Sequence, residues 1–296
     1  MSEARDLAVR TLLGHAQVPI ALRCLASLQQ CSAESVTLRI HDDGTLAAAD
    51  IDALRSALPG CDLVARRDAD DAVLPHLTRH PHCRAFRQTS PLALKLFDVA
   101  LLETGDLAYC DSDVLFLRRV RGLYEWSGAH ESCAFMADVL DAYALRPWHV
   151  SPLTSLRVLA KANSGLIHFR DAAGIDLDVL EHVLGRPPLQ AMARRRPYWV
   201  EQTCWATLGA HGKATLFDPG QVRVVTPEVD LREPTLLAAH FVSTYRSRIH
   251  EIVPQSGEGS APTAPSVVRR VAAPTTDPVR LLWSDITRRR GAGRPS

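Results

Sequence analysis

The chain has 296 residues, of which 46% are hydrophobic and 23% are charged, and its formal net charge is +1. This composition is typical of a globular protein, and the length is sufficient for a sizeable core in one continuous folded unit with appendages. A net charge near zero gives no electrostatic basis for binding nucleic acid in bulk, so partners have to be inferred from specific sites.

The spacing of the cysteines and the length of the apolar runs indicate in which cellular compartment we expect the protein. Seven cysteines are scattered without a CxxC pair, which argues against a disulfide framework and a structural zinc site. The N-terminus lacks the apolar core of a signal peptide, and no apolar run is long enough to cross a membrane. We therefore expect a cytoplasmic protein without an integral membrane segment, whereas peripheral membrane contact and the oligomeric state stay open.

Short apolar runs alternate with helical patterns through the first half of the chain. The spacing predicts strands at 7–13, 36–40, 62–65 and 107–110 and helices at 18–30, 47–58 and 91–103. Such alternation predicts an α/β fold in which a mixed, mostly parallel sheet is covered by helices on both faces.

The second half is less regular, with strands predicted at 133–136 and 166–169 and a helix at 201–208. Residues 254–278 are rich in Pro, Ser, Ala and Thr, and such a segment buries too little apolar surface to offset its ordering entropy. The sequence therefore predicts a catalytic domain over 1–253, a flexible linker over 254–278 and a basic tail over 279–296. We expect removal of residues 255–296 to leave folding and donor binding largely intact.

Two carboxylates, Asp111 and Asp113, directly follow the predicted strand 107–110. Ligands of open α/β sheets bind outside the carboxyl ends of the strands, and buried carboxylates are costly unless a cation compensates their charge. Oxygen ligands of this kind suit Mg²⁺ or Mn²⁺, which complete their shells with waters and substrate phosphates. The alternative is a pair of turn aspartates that cap the following apolar run.

Four ordered motifs resemble a known group of enzymes. Lys95 on its predicted helix, followed by residues 106–117, resembles the DxD region of GT-A glycosyltransferases, particularly the retaining family of glycogenin and the bacterial lipooligosaccharide galactosyltransferases. The other three motifs are Asn163-Ser164-Gly165, Glu201-Gln202 and the segment from His240 to Arg246. This sequence has Glu201, Ser243 and Arg246 where the family has Asp, Gly and Lys.

The resemblance implies a GT-A-like fold and a hexosyltransferase that uses a nucleoside-diphosphate sugar, UDP-linked, and a hydroxyl acceptor, with retention of the anomeric configuration. It implies that Asp111, Asp113 and His240 hold Mn²⁺ or Mg²⁺. It also implies that Lys95 and Arg246 supply positive charge to the diphosphate, which makes it a better leaving group.

The same resemblance assigns the remaining site residues. Ser112, Asn163 and Gly165 are expected at the donor, because an Asn side chain both donates and accepts hydrogen bonds and Gly permits close backbone approach. Glu201 and Gln202 are expected beside the anomeric carbon as the catalytic pair, where they orient the acceptor or stabilise an oxocarbenium-like centre.

Asp42 and Asp43 follow the second predicted strand and are candidates to bind the uracil or the ribose, although Asp-Asp-Gly is equally a good turn and helix start. The run Arg194-Arg195-Arg196 is typical of a solvated stretch and lies close in sequence to the expected acceptor side.

Each of the other candidates also has a purely structural interpretation. Lys95 and Arg246 are typical of surface cations, and His240 of a hydrogen-bonded core histidine. Asn163 fits an ordinary turn before a strand, and Glu201 fits the first turn of a helix.

Two other functions also stay open. One is a phosphatase of the haloacid dehalogenase type, which uses the first Asp of a DxD as nucleophile, and the other is a catalytically inactive protein that binds sugar nucleotides.

Overall fold

The computed structural model describes residues 6–145, 156–252 and 264–274. Strands and helices alternate through the first half, as the sequence predicts. The elements of this half are β1 (Asp6–Leu13), α1 (Val18–Cys31), β2 (Ser35–Asp42), α2 (Ala48–Ala57), β3 (Asp62–Val64), α3 (Arg66–Val73), α4 (Pro81–Thr89), α5 (Ala93–Leu101) and β4 (Leu107–Cys110).

The second half adds shorter strands and three helices in its described part, together with a 3-10 helix over Ser243–Glu251. Its elements are β5 (Val114–Phe116), β6 (Val120–Arg121), β7 (Cys133–Ala137), β8 (Ala162–Phe169), α6 (Leu177–Leu184), α7 (Pro187–Ala193), α8 (Pro197–Ala210), β9 (Ala214–Phe217), β10 (Val222–Val224), β11 (Ala238–His240), β12 (Ser266–Val267) and β13 (Arg270–Ala272).

Eleven of the described strands form one mixed sheet. Its order is β3-β2-β1-β4-β8-β7-β10-β11-β5, and β9 pairs with both β7 and β13. The first four strands run parallel, β8 is antiparallel to both of its neighbours, and β5 is antiparallel to β11. This arrangement confirms the predicted mostly parallel α/β fold.

The two faces of the sheet bury separate hydrophobic clusters. Neighbouring residues of β4 illustrate the division, because Tyr109 belongs to one cluster and Cys110 to the other. The Tyr109 cluster includes Phe97 of α5 and Trp205 of α8, and the Cys110 cluster includes Leu25 of α1. Since alternate side chains of a strand point to opposite faces, helices cover the sheet on both sides.

Two elements around the candidate site begin earlier than predicted. Helix α8 begins at Pro197, since proline is favoured in the first turn, so Glu201 and Gln202 lie inside the helix and not at its positive end. Strand β8 begins at Ala162, so Asn163 belongs to a fully buried strand and not to a turn.

The structure corrects the predicted domain boundaries, because part of the predicted linker 254–278 is folded. Residues 264–274 contain β12, which pairs with β6, and β13, which pairs with β9. The side chain of Arg270 on β13 is 2% exposed and its Nη1 donates to Glu131 Oε1 at 2.8 Å. This stretch is therefore part of the folded unit, whereas 253–263 and the predicted tail lie outside the described residues.

No helix in the described ranges is both long enough and apolar enough to cross a membrane.

Candidate functional site

The candidate site lies where β2, β1 and β4 end side by side. Leu13 at the end of β1 is in register with Asp42, and Arg10 is in register with Tyr109. Asp111 follows β4 by one residue, and its backbone N–H donates to the carbonyl oxygen of Gly165 on β8 at 2.8 Å. The parallel ladder and its antiparallel neighbour thus fix the first aspartate at the carboxyl edge of the sheet.

Asp113 and His240 meet although they are 127 positions apart in the chain. Strand β11 pairs with β5 so that His240 faces Val114, the residue after Asp113. His240 Nε2 lies 3.0 Å from Asp113 Oδ1 and 3.7 Å from Asp111 Oδ2. The sequence predicts this convergence, and the pairing of the two strands is what produces it.

The three side chains fit a hard divalent cation. One potential ligand atom from each of Asp111, Asp113 and His240 lies within 4.8 Å of the other two. Two carboxylates and one imidazole suit Mg²⁺ or Mn²⁺ by their oxygen-rich chemistry. Asp113 and His240 are buried, and Asp111 is partly exposed, so the cluster opens towards solvent on one side.

Contacts with His240 and Arg246 offset the negative charge of the two aspartates. Burial alone would raise the pKa of Asp113, but the charges of His240 and Arg246 and their hydrogen bonds outweigh burial and lower it. Burial would lower the pKa of His240, and Asp113 and Asp111 outweigh that effect and raise it. Both pKa shifts arise from attraction between positive groups and the two aspartates, and a bound cation would supply the same kind of positive charge.

Asn163 and Gly165 set the orientation of His240. Asn163 Oδ1 lies 3.1 Å from His240 Nδ1 and accepts from the backbone N–H of Gly165 at 2.8 Å. This contact assigns the proton to Nδ1 in the neutral imidazole and leaves Nε2 facing the aspartates. A Cβ on Gly165 would lie 2.5 Å from His240 Cε1, so the histidine occupies the space of the missing side chain.

Lys95 is buried beneath the aspartates and is not a surface cation. Its Nζ lies 3.0 Å from Asp111 Oδ1, 3.1 Å from Ser164 Oγ and 3.5 Å from Glu201 Oε1. Burial would lower the pKa of Lys95, but Asp111 and Glu201 outweigh it and raise the pKa. Tyr109 also donates its hydroxyl to Asp111 Oδ1 at 2.7 Å. Lys95 and Tyr109 therefore hold the carboxylate of Asp111 in position from the buried side of the site.

Glu201 is a buried carboxyl on the same network. Ser164 Oγ donates to its Oε2 at 3.0 Å, and Oε1 has no hydrogen-bond partner among the described residues. Burial raises its pKa from 4.5 to about 7, with repulsion from Asp111 adding to burial and attraction from Lys95 opposing it. Glu201 therefore exchanges a proton near neutral pH.

Gln202 and Asn163 share a residue that the sequence analysis does not single out. Asp138 Oδ2 accepts from Asn163 Nδ2 at 2.9 Å and from Gln202 Nε2 at 3.1 Å. Asp138 follows β7, so the rule that places Asp111 beyond the end of β4 also marks it. Tyr109 was equally missed, because a tyrosine inside an apolar strand carries no separate signal.

Arg246 is held against Asp113 from the solvent side. Its Nε and Nη2 donate to Asp113 Oδ2 at 3.0 and 2.9 Å, while half of its side chain stays exposed. Ser243, which stands where the resembled family has glycine, adopts a left-handed φ of 49°. The backbone at this position therefore has the conformation that glycine adopts most easily.

The remaining predicted residues make no recorded contact with the cation cluster in the described part of the chain. Asp42 Oδ1 accepts from the backbone N–H of Gly44 at 2.8 Å, and Asp43 Oδ1 accepts from that of Thr45 at 3.0 Å. These bonds agree with the turn interpretation, and a role in nucleotide binding stays a prediction. Ser112 is buried between the two aspartates.

Comparison with known proteins supports the fold. No protein family and no curated protein matches this sequence. Among solved structures, mouse xyloside xylosyltransferase 1 in its apo form matches with a TM-score of 0.53 and 14% identity, over 80% of this chain and 97% of that one.

Two further structures match less well. The galactosyltransferase LgtC in complex with donor and acceptor sugar analogs has a TM-score of 0.49 at 10% identity, over 84% of this chain and 98% of LgtC. The bifunctional glycosyltransferase WbbM in its apo form has a TM-score of 0.46 at 9% identity, over 82% of this chain and 47% of WbbM. Together with the sheet order, the match to the xylosyltransferase shows that this chain has a GT-A-like fold.

Proposed function

We propose that this protein is a glycosyltransferase that moves a hexosyl group from a UDP-linked sugar to a hydroxyl acceptor. In this proposal Asp111, Asp113 and His240 hold Mn²⁺ or Mg²⁺. The observation that carries it is the convergence of these three side chains, because His240 comes from a strand 127 positions beyond Asp113. The GT-A-like fold adds to this support.

A cation bound at this cluster supplies positive charge to the diphosphate oxygens and so stabilises the leaving nucleotide. Asp111 is held for this task by Lys95 and Tyr109, which bond to one or both of its carboxylate oxygens. Because Lys95 is buried under Asp111 and Glu201, we now assign it to positioning, and not to contact with the diphosphate as the resemblance implies.

Arg246 is the better candidate to contact the diphosphate. Its side chain is half-exposed and donates from Nε and Nη2 to one oxygen of Asp113, Oδ2, and the same two donors match the oxygens of a phosphate. If Arg246 paired with a diphosphate instead, Asp113 Oδ2 would be free to hold the cation.

Glu201 and Gln202 complete the proposed catalytic group. Glu201 Oε1 is buried, has no recorded hydrogen bond among the described residues and lies 3.5 Å from Lys95 Nζ, so Glu201 holds its charge or its proton inside the site. Gln202 is anchored to Asp138, which fixes its amide beside Asn163. We propose retention of configuration on the motif resemblance, and NMR of the first-formed product measures it.

The two other candidate functions are less well supported. A haloacid dehalogenase type phosphatase needs a downstream acidic pair as additional metal ligands, whereas the third side chain at this cluster is His240. A catalytically inactive protein that binds sugar nucleotides would have the same site, so measurement of turnover has to separate it from an enzyme.

A thermal-shift screen of nucleotide sugars, with and without Mn²⁺, tests the proposal. A ligand that binds only the native state raises the midpoint of unfolding by mass action. We expect UDP-sugars to raise it when Mn²⁺ is present and to do so much less in EDTA. Equal shifts with and without Mn²⁺, or none with any nucleotide sugar, would contradict the proposal.

A further inference from the structure

Exposed apolar side chains and arginines stand next to two residues of the buried network in the chain, directly after Asp138 and shortly before Gln202. We call this group the α8 rim and define it by Val139, Leu140, Arg194, Arg195, Arg196 and Tyr198. Among the described residues, six large hydrophobic side chains are exposed, and three of them are on this rim: Val139 at 46%, Leu140 at 42% and Tyr198 at 48%. Large apolar side chains grouped at the surface indicate a binding site more often than single ones do.

The α8 rim is continuous with the network around the cation cluster. Val139 directly follows Asp138, which accepts hydrogen bonds from Asn163 and Gln202. Tyr198 lies one helical turn before Gln202, and residues four apart share one face of a helix. The rim therefore begins where the buried polar network reaches the surface.

The aromatic part of the rim is held in a defined orientation. The guanidinium of Arg196 lies 4.5 Å from the centre of the Trp199 ring and donates from Nη1 to the Tyr198 hydroxyl at 3.2 Å. The two aromatic rings meet edge to face at a centroid distance of 6.0 Å. A fixed, half-exposed tyrosine ring offers a flat apolar surface that fits the C–H face of a sugar ring.

The charged side chains that define the rim are all arginines, and Asp138 adjoins it. Residues 187–200 contain three arginines and no acidic residue. Arg194 and Arg195 are exposed, and neither has an ion pair among the described residues. A guanidinium fork binds carboxylate and phosphate groups in matching geometry, so the rim favours an anion over a neutral ligand.

We propose that the α8 rim binds the acceptor and that this acceptor is an anionic saccharide. Its sugar ring packs on Tyr198, and its carboxylate or phosphate pairs with Arg194 and Arg195. The assignment rests on the glycosyl transfer proposed above. In that transfer the acceptor oxygen bonds to the anomeric carbon, the bond from that carbon to the diphosphate oxygen breaks with its electron pair, and the hydroxyl proton goes to the departing diphosphate.

Binding of p-nitrophenyl glycosides that differ only at C6 tests whether the rim requires an anion. In each of two series, gluco and galacto, we compare the neutral hexoside with its hexuronide and its 6-phosphate. Dissociation constants are measured by NMR titration of the full chain with UDP and the diamagnetic cation Mg²⁺. In the gluco or the galacto series, we expect the hexuronide or the 6-phosphate to bind about tenfold more tightly than the neutral hexoside of that series. Because exposed charges are screened, this preference should shrink as salt is raised.

Matched variants assign the preference to the rim. The double variant Arg194→Ala/Arg195→Ala should bind anionic and neutral glycosides equally, whereas Tyr198→Ala should weaken both by a similar factor. Arg55→Ala/Arg67→Ala removes the same net charge from exposed positions on α2 and α3 and should keep the preference.

The acceptor proposal is overturned if the neutral glycoside binds as tightly as both anions in both series, or if the preference survives in Arg194→Ala/Arg195→Ala. Hydrolysis of a UDP-sugar without acceptor is measured on the same wild-type preparation. If the protein hydrolyses the UDP-sugar but shows no preference for anionic glycosides, only the proposed acceptor class is rejected. If the protein shows no metal-dependent hydrolysis of the UDP-sugar, the proposed transferase activity itself is rejected.

Discussion

At the scale of single residues, the candidate site depends on a few side chains that have no room to move. His240 is held between Asn163 and Asp113, and it packs where a side chain on Gly165 would lie. The sequence predicts these residues individually through its motifs. It does not predict that Gly165 makes space for His240, because that contact joins two strands distant in the chain.

Gly165→Ala tests this close packing. The added Cβ would lie 2.5 Å from His240 Cε1 and 2.9 Å from Asn163 Oδ1, so the imidazole has to shift from the aspartates. We expect Mn²⁺ affinity, measured by calorimetry, to fall by about tenfold or more, as for other disturbed supports of metal ligands. Gly105→Ala is the control, since a Cβ there meets nothing within 4 Å. Equal affinities in the two variants would refute the packing argument.

Glu201→Gln tests the pKa of the buried carboxyl through stability. In metal-free protein the pKa of Glu201 is raised from 4.5 to about 7, so the folded state keeps a proton that the unfolded state loses. The wild type therefore loses stability as pH rises through this window, and the variant lacks that loss.

Chemical denaturation in EDTA between about pH 5 and pH 8 measures the effect. We expect the free energy of unfolding of Glu201→Gln, relative to wild type, to rise by roughly 2 to 3 kcal/mol across this range. A difference that stays constant with pH would show that Glu201 titrates normally.

At the scale of elements, local patterns predict the regular half of the fold and miss segments that lack them. The strands from β1 to β4 are apolar runs bounded by turn residues, so their positions are predicted closely. Helix α3 has only two buried apolar residues, Ala69 and Val73, in an otherwise polar sequence, and so short an apolar stripe is easily overlooked. Helix α8 is buried nearly all round, so its start shows no clear amphipathic period. Strands β12 and β13 were missed because pairing with distant strands, and not composition, orders them.

The 3-10 helix over Ser243–Glu251 carries Arg246 to Asp113, and Arg246→Gln tests what this contact does. Without nucleotide, the arginine and the cation compete for the same carboxylate. Loss of a partly exposed ion pair worth about 1 kcal/mol should therefore raise Mn²⁺ affinity roughly fivefold. With Mn²⁺ present, UDP should bind more weakly to the variant, because a phosphate partner is lost.

Calorimetric titrations with Mn²⁺ alone and then with UDP separate these two effects. Arg67→Gln on α3 removes the same charge from an exposed position and should change neither affinity. Unchanged Mn²⁺ binding in Arg246→Gln would show that the arginine does not compete with the cation.

At the scale of the whole molecule, the sheet joins the C-terminal segment to the rest of the fold. Arg270 of β13 and Glu131 form a buried ion pair, with side chains 2% and 5% exposed. The adjacent Arg269 pairs with Asp218 but is 64% exposed. The two neighbouring arginines therefore allow a direct comparison of a buried and an exposed ion pair.

Arg270→Ala leaves Glu131 buried without its cation, which typically costs about 3 kcal/mol or more. Arg269→Ala removes an exposed pair and should cost less than about 1 kcal/mol. Chemical denaturation of both variants measures the difference. Similar small losses would mean that residues 264–274 contribute little to stability, as the predicted flexible linker implies.

The account as a whole depends on a metal-dependent donor site at the carboxyl edge of the sheet, and the most direct measurement is hydrolysis of a UDP-sugar. The donor is the one that gives the largest Mn²⁺-dependent thermal shift, and the proteins are wild type, Asp111→Asn/Asp113→Asn and the exposed control Asp52→Asn. We predict that wild type and Asp52→Asn hydrolyse the donor only with Mn²⁺ or Mg²⁺, and that the double variant stays folded but loses about 10²-fold or more of the rate. Hydrolysis by the double variant at the wild-type rate, or by wild type in EDTA, would contradict the account.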